Sequence, residues 1–77
     1  MTKDERFLLE ILRASQALSE HDGCVNPLQI AKKLGYKENL TKEILKGLRQ
    51  ANLIKIFGTE EIALTDRGKE VASALLS

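Results

Sequence analysis

The sequence predicts a mainly helical α+β fold with a small β-hairpin, because two stretches have the residue types that open helices, Thr2 to Glu5 and Asn26 to Gln29. In three stretches, ending at Leu18, Leu34 and Leu48, the apolar residues recur at helical spacing. Two later runs, Ile54 to Phe57 and Glu61 to Thr65, alternate around Gly58 as paired strands do. The expected order is α-β-α-α-β-β-α, in a single domain over residues 1–77.

Thr2 and Glu5 fit a capping box, in which a hydroxyl and a carboxylate each satisfy a backbone N–H left unpaired at the helix start. Along the helix that follows, Phe7, Leu8, Ile11, Leu12, Ala14 and Leu18 fall within an arc of about 160° at 100° per residue. That is wider than a surface helix needs, so more than one neighbour is expected. Leu9 falls outside the arc and reads as an isolated exposed leucine, with contact to a second copy or to the last helix as the alternative. From Ser19 to Val25 there are turn residues without a period, which indicates a loop closing on a short extended piece at Cys24 and Val25. In that loop His21 beside Asp22 reads as a solvated histidine, and Cys24 as a small core residue.

Asn26 as N-cap, Pro27 at the first helical position and Gln29 at the third open the second helix. Val25 and Ile30 stand where a hydrophobic staple belongs. Leu28, Ile30, Ala31 and Leu34 are its expected buried side, and Gly35 its stop. Tyr36 follows and is expected to close the core. A third helix runs from Leu40 to Ala51, or about 39–51 counting Asn39, with Thr41, Ile44, Leu45 and Leu48 inward. Asn39, Lys42, Glu43, Lys46 and Gln50 project from the other side, with Arg49 on the flank. Gly47 weakens a helix interior by about 1 kcal/mol relative to alanine, so it is expected to mark a close approach of another backbone. Asn52 ends this helix, the hairpin turns through residues 58–60, and Thr65 with Asp66 starts a last helix that buries Val71, Ala72, Leu75 and Leu76.

At 77 residues, a chain buries about 60% of its unfolded surface, and the apolar gain roughly offsets the entropy of ordering. Little stability is left to hold a pocket of strained polar groups, and no nucleophile is paired with a base, so binding is expected rather than catalysis. With 43% hydrophobic and 30% charged residues the chain is too apolar to remain disordered. One cysteine permits no internal disulfide, and one cysteine with one histidine falls short of a structural zinc site, so no metal or cofactor is expected. No apolar run exceeds four residues, which points away from a membrane span and toward the cytoplasm.

Net charge is only +1, but its distribution is uneven: positions 32–55 carry seven basic and two acidic residues. Three stretches of this arrangement resemble the winged helix-turn-helix family. Residues 30–35, IAKKLG, are similar to its I-A-x-x-L-G second helix; residues 45–54, with LKGL and ANLI, to its L-x-x-L-x-x-x-G-L-I; and residues 64–68, LTDRG, to the L-T-x-x-G of MarR-type and related repressors. Asn52 stands where the family usually has glycine, and asparagine is the next best residue at positive φ. The resemblance implies a small transcriptional regulator that places its third helix in the major groove of double-stranded DNA. Lys37, Lys42, Lys46 and Arg49 then meet phosphates, while Asn39, Lys42, Lys46 and Gln50 reach base edges. A homodimer through the first and last helices is expected, because one module of this size buries little surface for specific affinity. The hairpin tip departs from the family, carrying Glu60 and Glu61 where arginine or lysine is common. That favours the alternative, a winged helix presenting its surface to a protein partner.

Overall fold

Thr2 and Glu5 open the first helix as a reciprocal pair. The Thr2 N–H donates to Glu5 Oε1 at 3.0 Å, and the Glu5 N–H donates to Thr2 Oγ1 at 3.1 Å. The computed structural model describes residues 1–17, 24–58 and 61–76, and among these it has four helices and a two-stranded antiparallel sheet. The helices are α1 (Lys3–Ala17), α2 (Pro27–Leu34), α3 (Glu38–Gln50) and α4 (Asp66–Leu76); the strands are β1 (Ile54–Phe57) and β2 (Glu61–Leu64). Leu18, His21, Asp22 and Glu60, on which some of the expectations rest, lie outside the described residues.

Helix α1 packs against α2, α3, α4 and β2, and six consecutive residues, Phe7 to Leu12, are buried. A helix with neighbours all round has no solvent face over that stretch. Leu9, expected as an exposed surface leucine, is therefore only 7% exposed. The same surroundings bury Glu10, whose Oε1 lies 3.2 Å from Arg13 Nη1 and whose Oε2 lies 3.1 Å from Lys33 Nζ. The second pair ties α1 to the end of α2.

Asn26 has extended backbone (φ −87°, ψ 117°), and its side chain accepts the Leu28 N–H at 2.9 Å, with Pro27 next in the first turn. Val25 and Ile30, on either side of this start, both belong to the core. Pro27, Ile30, Ala31 and Leu34 form the inward stripe of α2. Leu28 was expected with them but is 55% exposed, because it sits about 110° round from that stripe. Helix α4 repeats the spacing: Gly68, Val71, Ala72 and Leu75 point inward, and Leu76, about 90° round, is exposed rather than buried.

Helices α2 and α3 end alike. After α2, Gly35 adopts φ 75° while the Tyr36 N–H donates to the Ala31 carbonyl at 2.9 Å; after α3, Asn52 adopts φ 63° while the Leu53 N–H donates to the Leu48 carbonyl at 2.9 Å. Both are left-handed turns that satisfy carbonyls a helix end would leave open. Helix α3 starts earlier than Leu40, at Glu38, since the Lys37 carbonyl accepts both the N–H and the hydroxyl of Thr41 at 2.9 Å. Its inward side is Thr41, Ile44 and Leu48, with Leu40 and Leu45 partly buried. It stops at Gln50, so Ala51 is its cap rather than its last turn.

Strand pairing runs from Ile54 opposite Leu64 to Phe57 opposite Glu61. The short extended piece reduces to one bridge, in which Val25 exchanges two backbone hydrogen bonds with Ile62 at 2.7 and 2.9 Å. Cys24 beside it is half-buried, not a core residue, because it lies at the edge of that bridge. Thr65 does not extend β2: its Oγ1 accepts the Gly68 N–H at 2.9 Å, capping α4, and donates to the Asn52 carbonyl at 2.6 Å. Phe7 and Tyr36 stack in the core with centroids 6.5 Å apart. Among the described residues no helix is long and apolar enough to cross a membrane.

Close backbone approach occurs at Gly68 and not at Gly47. A Cβ on Gly68 would lie 2.0 Å from the Leu53 carbonyl oxygen, whereas one on Gly47 would meet only Asp4 Oδ2 at 3.7 Å. Gly47 therefore weakens α3 without serving packing. Gly68→Ala is expected to lower the unfolding free energy by about 3 kcal/mol, and Gly47→Ala to raise it by about 1 kcal/mol; chemical denaturation of the two variants measures both.

Hydrogen bonds from the Thr2 backbone N–H, and then from its hydroxyl, hold the Glu5 carboxyl below the usual glutamate range. Because the folded value is the lower one, this support of α1 is present above the unfolded glutamate value and is lost as pH falls through the folded one. An NMR titration of the Glu5 side chain should give a midpoint below that of an ordinary glutamate, and Thr2→Ala should move it back up.

Candidate nucleic-acid interface

The inward stripe of α3 fixes what its other side presents. With Thr41, Ile44 and Leu48 in the core, Asn39, Lys42, Glu43, Lys46, Arg49 and Gln50 are all exposed. The three cations are not spread around that surface: at 100° per residue Lys42, Lys46 and Arg49 fall within an arc of about 60°. Their arc faces β1. Together with Gln50, Leu45 and Ile56 they line a groove of about 500 Å³ between α3 and the strand.

Lys37 and Asn39 do not join this group. Lys37 is the N-cap of α3, exposed, and makes no side-chain cap, since an ammonium has no acceptor to offer the first-turn N–H groups. Asn39 lies in that first turn on the solvent side. Glu43 is also exposed, about 100° round the helix from Lys42.

Lys42 Nζ lies 3.4 Å from Glu38 Oε1, one turn earlier, with both side chains at least 70% exposed. Such a pair is worth at most a few tenths of a kcal/mol and yields readily to a stronger anion. Lys37, Lys46 and Arg49 have no ion pair among the described residues. Charge at this surface is therefore predominantly uncompensated.

Two groove residues carry no signal in a reading for charge. Leu45 reads as core but is partly exposed at the groove floor, and Ile56, 41% exposed, completes that floor. Ile56 shares a face with buried Ile54, so alternation assigns it to the core, yet it is exposed on the groove floor beside α3. Lys32 borders a second hollow of about 430 Å³ between α2 and the start of α3, lined also by exposed Leu28 and Glu38, half-buried Tyr36 and buried Thr41. Its place within the basic stretch 32–55 was the available sign, and the neighbouring Lys33 differs in being paired with Glu10.

Glu61 is exposed on β2 opposite Phe57, which is half-exposed, so the described part of the hairpin end is acidic and apolar. Among the described residues no three His, Cys, Asp or Glu side chains come together as metal ligands. Comparison with family models, with curated proteins and with solved structures finds no match for this chain.

Proposed function

We propose that this chain is a winged helix-turn-helix module that binds double-stranded DNA as a small transcriptional regulator, with α3 in the major groove. The observation that carries this reading is the clustering of Lys42, Lys46 and Arg49 on one exposed flank of α3, where among the described residues Lys46 and Arg49 have no ion pair. A thirteen-residue helix is about 20 Å long and about 10–12 Å across, a size that a major groove about 12 Å wide accepts. Lys37, Lys42, Lys46 and Arg49 meet phosphates as charge-assisted donors. Asn39 and Gln50, with the lysines between them, are the side chains that read base edges. The first-turn N–H groups of α3, left without a side-chain cap, add partial positive charge at the start of the same helix.

With extents of 28 × 25 × 22 Å, one copy cannot reach two successive major grooves about 34 Å apart. A palindromic site therefore requires a homodimer, assembled through the ends of the first and last helices, where Met1 just before α1 and Leu76 at the end of α4 are exposed apolar residues. Leu9 takes no part, since it is buried within one chain.

Fluorescence titration of labelled duplex DNA across a salt series tests the reading. Four neutralised phosphates give a slope of log affinity against log salt of about −3.6 per protomer. Lys42→Glu combined with Lys46→Glu should abolish retention of the duplex while leaving the thermal midpoint within a few degrees, as both side chains are exposed. A slope near zero overturns nucleic-acid binding.

A further inference from the structure

Among the described residues the hairpin has an unpaired edge, whose position follows from its hydrogen bonds. Ile62 gives its N–H to the Val25 carbonyl at 2.9 Å and takes the Val25 N–H on its own carbonyl at 2.7 Å. Neither group is left for Ile56, which stands opposite Ile62 in the register. In an antiparallel ladder both backbone groups of a residue point the same way, and successive residues alternate. The bond from the Thr65 N–H to the Leu53 carbonyl, at 3.0 Å, agrees, since it places the odd-numbered residues on the β2 side. The Ile56 N–H and carbonyl thus point away from β2, at the free edge of β1 and beside the groove. That groove has an apolar floor, Leu45 and Ile56, and a rim of Lys42, Lys46, Arg49 and Gln50, with no acidic residue lining it.

We infer that this edge docks an extended acidic polypeptide segment, which adds as a strand along β1. One apolar residue of the segment pairs with Ile56 and rests on Leu45, and carboxylates two positions to either side face the lysines and Arg49. Strand residues i−2 and i+2 are about 13 Å apart, similar to the rise of about 10 Å from Lys42 to Arg49 along α3. Main-chain bonds give such an added strand its affinity and the side chains its specificity. A second copy of this chain fits poorly, because edge-to-edge pairing brings two sets of the same three cations together. A sugar–phosphate strand of DNA offers acceptors for the cations but no donor for the Ile56 carbonyl.

Since the three cations also belong to the proposed DNA surface, the segment acts as a competitor of the duplex; that consequence rests on the DNA reading, and the docking itself does not. The test uses the full chain, labelled with ¹⁵N, and a synthetic pentapeptide of glutamate, threonine, valine, threonine and glutamate with blocked ends. Saturable shifts are expected at the Ile56 amide and along residues 42–50. A peptide methylated on the valine nitrogen should bind at least tenfold more weakly, and one with lysines for glutamates should not bind. Ile56→Pro removes the outward N–H without touching the β1–β2 ladder, and should weaken the peptide tenfold. Equal binding of the methylated peptide, or shifts located elsewhere, or no shifts, overturns the docking. Peptide binding without duplex binding removes only the DNA reading; duplex binding without peptide binding removes only this one.

Discussion

One backbone carbonyl holds the junction on which the rest of the molecule depends. The Leu53 oxygen accepts the Thr65 N–H and lies so near Gly68 that no side chain fits between them, while the Thr65 hydroxyl spans from the Asn52 carbonyl to the Gly68 N–H. The end of α3, the root of the hairpin and the first turn of α4 therefore meet at three consecutive polar contacts. Because the contacts are backbone groups and a hydroxyl, they set direction in a way that apolar packing alone does not. The angle between α3 and β1 follows from this junction, and with it the groove that Lys42, Lys46 and Arg49 border.

Helix α1 is the complementary constraint. It contacts α2, α3, α4 and β2, so each of those elements is placed relative to a common axis. Phe7, Leu8 and Ile11 lie fully inside, and Glu10 is carried into the same environment at the cost of needing cations from α1 itself and from α2. The basic stretch is thereby divided. Lys33 serves the interior of the protein, whereas Lys46 and Arg49 remain available to solvent.

Features governed by neighbouring residues in the chain were legible in the letters. The Thr2–Glu5 box, the Asn26 cap, the Gly35 and Asn52 turns and the inward stripe of α3 each depend on a few positions and on helical phase. What depended on distant partners was not. Leu9 lies off the main apolar arc yet is buried, because a fourth element closes over α1; Leu28 and Leu76 are apolar yet exposed, because they sit at the side of their stripes. Gly47 and Gly68 show the difference most directly, since a glycine inside a helix looks alike whether or not a carbonyl of another element faces it. At the candidate site the exposure of the cations followed from phase, while the apolar floor did not, as Ile56 alternates like a core residue and is nonetheless exposed in the groove.

The stacking of Tyr36 on Phe7 has an optical consequence. The chain contains no tryptophan and a single tyrosine, so its near-ultraviolet emission comes almost wholly from one ring. That ring sits in the corner where α2 hands over to α3, partly shielded by the phenyl group beneath it. Whatever disturbs this corner changes the yield of the molecule's own light, while an event confined to the far end of the hairpin leaves that emission as it was.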